Sequence, residues 1–381
     1  MLKTNNSFKC ILAATSLFAL SNSVTQATEG DGLSWNGNLD FYYQASPQGH
    51  LPSTKTGPRV VEGRYFDRHS NELTLNMAEL SFKNKIGKST LRIDLAAGEL
   101  VDQLSGGSAS ATNPTNSAAN ESTRNITQAI LTYQVTDRLS FNAGKFYTNI
   151  GLELTRAKEN WQYSRSYLFN YGPFWHEGGY ITYAIIPGKL NSTIYVLNAW
   201  DGRISQEANK ATTLAGNLNY IPFENLTFNY NYIGGDESSS SGRRDLHEVN
   251  GLYKITDNIS AAFDLQYGTQ QDVASVGTAK WGGAAFYLKA KVNDVYSISP
   301  RYEYFNDSDG FTIVGGLSSP STVKQKISAI TLTNSFDIGS GVELRAEARR
   351  DSSNVDQFFI TSKGGATKHQ ETYTLAALYS F

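Results

Sequence analysis

Apolar and polar residues alternate along most of this chain, and the polar positions carry charges in mid-run. In "GVELRAEARRD", Val342, Leu344, Ala346 and Ala348 oppose Glu343, Arg345, Glu347 and Arg349. "VYSISPRYEYF" sets Tyr296, Ile298, Tyr302 and Tyr304 against Arg301 and Glu303. "STLRIDLAAG" sets Leu91, Ile93, Leu95 and Ala97 against Arg92 and Asp94. Period two is the strand period, and successive side chains of a strand point to opposite faces. A soluble sandwich or solenoid would bury the apolar parity. Charges at mid-strand need water, and the lumen of a wide barrel supplies it while the apolar parity faces lipid.

About sixteen such runs span the chain, the first near residues 33–45 and the last at 371–381. Each is roughly the 10 residues that a tilted strand needs to cross a bilayer core. Their connections alternate between short and long. Short ones include "TD" at 136–137, "PG" at 187–188 and "ND" at 293–294, and longer polar segments such as 46–71, 100–123, 150–177, 306–322 and 352–370 lie between them. Turns short on one side and loops long on the other describe an outer-membrane barrel. The expected fold is all-β: a transmembrane antiparallel up-and-down barrel of about 16 strands over residues 28–381. An even count puts both termini on the short-turn side and predicts eight long loops. Tyr and Phe recur at run ends, as an interfacial girdle would.

Residues 1–27 read as a cleaved secretory signal: Lys3 and Lys9, a short apolar core "CILAATSLFAL", then small residues up to Ala27. Cys10, the single cysteine, falls inside it, so the exported chain would have no disulfide. Loss of the two lysines takes the formal charge from −2 to −4, too mild to imply a nucleic-acid partner.

The chain ends on Phe381, in phase with Leu375 and Tyr379. In hydrocarbon each unpaired backbone N–H or C=O costs several kcal/mol, so the last strand must close on the first. A terminal aromatic in this pattern resembles the C-terminal signature of bacterial outer-membrane proteins. That resemblance implies recognition of Leu375, Tyr379 and Phe381 by the barrel-assembly machinery.

At about sixteen strands, side chains no longer fill the lumen and an aqueous channel remains. The expected function is passive diffusion of small hydrophilic solutes and ions. The alternative is a surface adhesin, receptor or structural barrel acting through its loops. In general trimeric porins the third loop folds inward. Here the third loop contains "IGLELTRAKENWQYSRSYLFNYGPFWHEGG", rich in aromatics and carrying Arg156, Lys158 and Arg165. It is the candidate constriction, and those three cations are expected to pair with Glu303 or Glu347 or to meet solute directly. Arg92, Asp94, Arg301, Glu303, Arg345, Glu347 and Arg349, with Asp40, would form a charged arc facing it. Either reading of that arc stays open: a selectivity wall or a mutually neutralised network.

Several stretches, "RYFDRHSNELTLNMAELSF", "NITQAILTYQVTDRLSFNAGKFYTNIGLE", "NWQYSRSYLFNYGPFWHEGGY" and "RYEYFNDSDG", resemble the OmpL-like β-barrel porin family over most of the exported chain. The resemblance implies an outer-membrane porin and no defined substrate. The partners expected of such a barrel are outer-membrane lipid and lipopolysaccharide, with a homotrimer as one assembly. It marks Gly144, Lys145, Phe146, Gly151, Glu153, Arg165 and Ser166 as family-like, without assigning roles, and Lys145 joins the pore-lining candidates. No cofactor, metal site or enzymatic activity is expected. "HSN" at 69–71 is a poor catalytic match, and "NDSDG" at 306–310 lacks the distant Glu of a calcium loop.

Overall fold

The computed structural model describes residues 31–47, 61–106, 123–201, 211–237, 242–273, 276–312, 323–356, 359–361 and 365–381. The expected signal segment, residues 1–27, lies outside the described residues. The strands are β1 Gly32–Ala45, β2 Leu73–Ile86, β3 Ser89–Ala97, β4 Ile126–Thr136, β5 Leu139–Tyr147, β6 Trp175–Ile186, β7 Leu190–Leu197, β8 Thr213–Phe223 and β9 Leu226–Asp236. They continue as β10 Arg243–Lys254, β11 Ile259–Val273, β12 Gly277–Lys291, β13 Tyr296–Asp307, β14 Gln325–Gly339, β15 Val342–Ser353, β16 Phe359–Ile360, β17 Ala366–Thr367 and β18 His369–Ser380. Two helices join them, α1 Glu99–Gly106 and α2 Tyr167–Asn170, with a 3-10 turn at Ala157–Glu159.

Sixteen of these strands form one closed barrel, each paired with its neighbours in sequence, and β18 returns to β1. β16 and β17 make a separate small hairpin in the last outer connection. The closing ladder is antiparallel, from Asn38 opposite Ser380 to Ala45 opposite Tyr373. The sequence parities hold. Leu39, Phe41 and Tyr43 of β1 face outward, while Asp40, Tyr42 and Gln44 are buried on the lumen side. Outward positions such as Ile194, Ile330 and Leu375 are each 63% exposed. An apolar surface that encircles the molecule is what contact with lipid requires.

One expectation is corrected. The sixth outer connection is not long: it covers only residues 274–276. β11 and β12 run for 15 residues each, so strand occupies the length a loop would otherwise take.

The lumen face divides into two layers. Toward the short turns it carries amides and hydroxyls. Asn217 donates to Asn231 at 2.7 Å, Asn219 to Asn229 at 2.9 Å and Asn229 to Asn250 at 2.9 Å. Toward the long loops the same parity turns apolar, with Tyr195, Ile233, Leu246, Trp281, Phe305 and Ile327 in one buried cluster. Leu168 and Tyr167 of α2 belong to that cluster, so the outer half of the lumen has a packed core.

Closure also explains the aromatic terminus. Phe381 N–H donates to Gly37 O and Gly37 N–H to Phe381 O, both at 3.2 Å. The Phe381 ring packs edge-on against Trp35, centroids 5.3 Å apart. A Cβ at residue 37 would sit 2.4 Å from that ring, so glycine there makes the seat for it. Deleting Phe381 removes both hydrogen bonds and the aromatic contact at the closing seam. The heat-modifiable folded fraction in outer membranes is expected to fall well below wild type. Equal yields would show that the seam tolerates an open end.

Candidate pore constriction

The connection between β5 and β6, residues 148–174, enters the barrel. Gly144 lies in β5 ahead of it with φ +139, and a Cβ there would lie 1.9 Å from Ala129 O, so the backbone at that position requires glycine. From 162 to 170 every residue of the segment is buried.

Wall carboxylates accept the segment's backbone N–H groups. Glu347 accepts from Tyr163 at 2.7 Å and Ser164 at 3.1 Å, Glu303 from Tyr167 at 2.6 Å, and Glu248 from Gly151 at 2.7 Å. Wall guanidinium groups donate to its carbonyls. Arg345 reaches Ala157 O at 2.9 Å and Gln162 O at 3.1 Å, Arg301 reaches Ser164 O at 2.7 Å, and Arg349 reaches Arg165 O at 2.6 Å. On the opposite side of the closing seam, Tyr163 donates its hydroxyl to Asp40 at 2.8 Å. Arg156 donates to Glu79 at 2.5 and 2.8 Å and to Asp94 at 2.7 Å. The segment is therefore held from three wall sectors: β1–β3, β10 and β13–β15. Charge-assisted bonds of this kind are roughly twice as strong as neutral ones.

The segment also braces itself. Arg165, fully buried, donates to Leu154 O at 3.0 Å, to Thr155 O at 2.5 Å and to Tyr163 O. Burial pulls its guanidinium below the usual value, and the nearby Asp40 and Glu153 carboxylates oppose that. Glu153 accepts from Ser166 N–H and from Arg301, both at 2.7 Å. The Ser166 hydroxyl caps α2 by accepting from Phe169 N–H at 3.2 Å. Gly151 takes φ +107, which favours glycine. Four of the seven family-like positions thus fix the segment's own shape. Asp201 closes its exit, accepting from Phe174 and Trp175 N–H at 3.1 Å each. Burial pushes that carboxyl up to about 7.

The expected pairings are corrected. None of Arg156, Lys158 or Arg165 pairs with Glu303 or Glu347. Arg156 bonds Glu79 and Asp94, Lys158 lies 3.5 Å from Glu343, and Arg165 bonds carbonyls. Burial works against the charge of Arg156, and Glu79 more than offsets it, so its guanidinium is held well above the usual value. Glu303 is taken by Arg349 at 3.0 Å and Arg301 at 3.3 Å, because β13 and β15 present cations next to it. Lys145 sits at the outer end of β5 with Nζ 3.9 Å above the Trp175 ring. Arg92 pairs with Asp94 at 2.9 Å. Glu79 and Glu248 went unnoticed in the sequence. Both stand on the lumen parity in mid-strand, the signal that picked out Glu303. Among the described residues no group of three His, Cys, Asp or Glu could hold a metal. Asp307 instead accepts from Phe311 and Thr312 N–H, as in a plain polar turn.

A closed sixteen-strand barrel with an apolar outer belt and a loop held in its lumen defines an outer-membrane channel protein. The family described as "Putative beta-barrel porin-2, OmpL-like" matches residues 32–381, and the chain belongs to it. It is a porin of the bacterial outer membrane. No curated protein sequence matches the chain. Among solved structures, the anion-selective porin from Comamonas acidovorans is similar at TM-score 0.61 and 10% identity, covering 92% of this chain and 100% of that one. The outer membrane channel DcaP of Acinetobacter baumannii is similar at TM-score 0.57 and 10% identity, covering 94% and 100%. The trimer form of OmpT from Vibrio cholerae is similar at TM-score 0.56 and 10% identity, covering 93% and 100%. Likeness at this identity speaks for the fold.

Arg349 bonds Glu303, Asp351 and two groups of the segment. Arg349→Met takes the paired guanidinium from buried Asp351 and leaves Glu303 with Arg301 alone, at about 3–5 kcal/mol. A lower unfolding temperature of the purified barrel and larger open-state current fluctuations are expected. Unchanged values of both would mean that Arg349 does not hold the loop.

Proposed function

We propose that residues 148–174 are the constriction of a water-filled channel for passive diffusion of small hydrophilic solutes and ions. One observation carries this reading: the segment is anchored from three sectors of the inner wall, so a solute crossing the barrel must pass it. The fully buried arginines and glutamates of β13 and β15 act as its holders rather than as the selectivity wall. Of the charged residues expected along the pore, Arg92 and Lys158 keep the most side-chain exposure, 29% and 26%. They are the ones proposed to face the water path. No catalytic role is assigned to any residue. A homotrimer surrounded by outer-membrane lipid and lipopolysaccharide is the proposed assembly, as the OmpT trimer form illustrates. The seam residues Leu375, Tyr379 and Phe381 are proposed to serve the barrel-assembly machinery as its recognition signal.

Replacing residues 155–172 with a short Gly-Ser linker is expected to raise single-channel conductance and relax the size limit in liposome swelling. Normal insertion with wild-type conductance would place the narrow section elsewhere. Ion preference has a separate test. Arg92→Glu with Lys158→Glu is expected to move the reversal potential in a salt gradient toward cation preference, since charge lining a pore biases permeation. An unmoved potential would remove both residues from the conducting path.

A further inference from the structure

The 3-10 turn at Ala157–Glu159 brings the third loop down to the inner end of the barrel. There Lys158 Nζ donates to Gly341 O, in the short turn between β14 and β15, at 3.3 Å. The wall beside it is rich in cations. Lys289 and Lys291 stand on the lumen parity at the inner end of β12, and Arg345 with Glu343 at the inner end of β15. One row of the sheet joins them: Lys291 lies opposite Ser297, Ser297 opposite Ser335, and Ser335 opposite Arg345.

Negative charge is short in this cluster. Arg345 lies 2.6 Å from Glu343, and Lys158 lies 3.5 Å from the same carboxylate. Lys289 acts on Glu343 as well, and the charged groups around Lys289 are Arg345, Glu343, Lys291 and Lys158. One carboxylate is therefore shared by three cations. The other carboxylates at this end do little to change that. Asp294 pairs with Lys291 at 2.9 Å but is fully exposed in its turn, where water and salt screen it. Asp337 is exposed too and accepts from Gly339 N–H at 3.0 Å. Glu159 belongs with Arg156, 3.6 Å away. Half-buried Lys289 makes no hydrogen bond or ion pair among the described residues.

A second observation comes from the neighbouring strand. The register of β12 on β13 sets Lys289 opposite Ser299. Ser299 is 1% exposed, and its Oγ has no hydrogen-bond partner among the described residues. Thr333, opposite Ser299 on the other side, already donates its hydroxyl to Glu347 at 2.7 Å. The Ser299 O–H is thus an unused donor next to an unpaired ammonium group, and both call for an acceptor that carries negative charge.

We propose that Lys158, Lys289 and Lys291 form a docking site for a small divalent oxyanion at the inner mouth of the channel, with the Ser299 hydroxyl as a further donor. With Glu343 the only carboxylate held among these cations, a doubly charged occupant answers the cluster better than a singly charged one. Ammonium groups bind oxyanions as point charges without the fixed fork of a guanidinium, which suits a site that must release what it binds. The proposal rests on the channel reading above and names a class of solute for it.

Calorimetric titration of the detergent-solubilised, folded barrel at low ionic strength tests the site, with sodium sulfate as the divalent probe and sodium nitrate as the monovalent one. Sulfate is expected to bind in the low millimolar range and nitrate roughly tenfold more weakly. Lys289→Gln and Lys158→Gln are each expected to weaken sulfate binding roughly tenfold. Glu343→Gln, which removes the carboxylate from the cluster, is expected to tighten it. Lys254→Gln removes a cation from the inner end of β10 and is expected to keep wild-type sulfate affinity. Heat-modifiability establishes which variants are folded, and either folded variant of the first two suffices. Absent sulfate binding, equal affinity for nitrate, or wild-type affinity in folded Lys289→Gln or Lys158→Gln would overturn the site. So would weaker binding in folded Glu343→Gln, or an equal loss in Lys254→Gln. Conductance of the wild type in potassium chloride is read separately. Conductance without sulfate binding overturns the site and leaves the channel standing. Sulfate binding without conductance overturns the channel reading and leaves the site.

Discussion

Backbone hydrogen bonding in a medium without water governs this structure. Sixteen strands would leave two open edges, and in hydrocarbon an edge is intolerable. The antiparallel pairing of β1 with β18 removes both edges. Everything else follows from the shape that closure imposes. The outward parity must be apolar, so side chains such as Leu218 and Phe286 gain nothing by burial within the protein. The inward parity surrounds a space too wide for its own side chains to fill. A barrel stabilised in this way can carry charges inside, provided something answers them.

In this protein the answer is the third loop. Its backbone is the partner for much of the wall's charge. Glu347 and Glu303 accept amide N–H groups, while Arg345 and Arg301 donate to carbonyls only a few residues away. A wall of alternating sign suits a peptide chain, which offers donors and acceptors in alternation. A wall of one sign would satisfy only half of it. This accounts for the mixed charges of β13 and β15 without calling on selectivity. It also accounts for Asp40 and Asn76 beside the seam. The register shift between β1 and β2 at Asp40 brings Asn76 to the lumen, where it donates to Asp40 at 2.7 Å and to the Tyr163 hydroxyl at 3.3 Å.

The fold was legible because its rule is local. Whether Arg345 and Glu347 share a face depends only on their spacing, and lipid makes the face assignment unambiguous. Strand ends such as Val273 and Gly277 were less legible, since two 15-residue strands leave no composition signal where the loop was expected. Pairing was not legible at all. The choice of Glu79 over Glu303 for Arg156 depends on where the loop descends, which is a matter of three-dimensional path. The residues that set that path, Gly151, Glu153, Arg165 and Ser166, could be marked by resemblance alone. Their work is done by backbone contacts that no periodicity records.

The layering of the lumen has a sequence trace that alternation conceals. In "TIYVLNAW", Ile194, Tyr195, Val196 and Leu197 are all apolar, so both faces of β7 turn hydrophobic toward its outer end. Continuous apolar runs of this kind mark strands buried on both sides. Here one side meets lipid and the other meets α2, whose Tyr167 and Leu168 share a cluster with Tyr195 and Leu197. The loop is thus retained by two different forces at two heights. Charge-assisted bonds hold its middle against β13–β15, and apolar packing holds α2 in the outer layer. The first is strong and directional, and the second excludes water from those bonds and so strengthens them. Removal of one weakens the other, which makes the seated loop a cooperative unit rather than a strap tied at separate points.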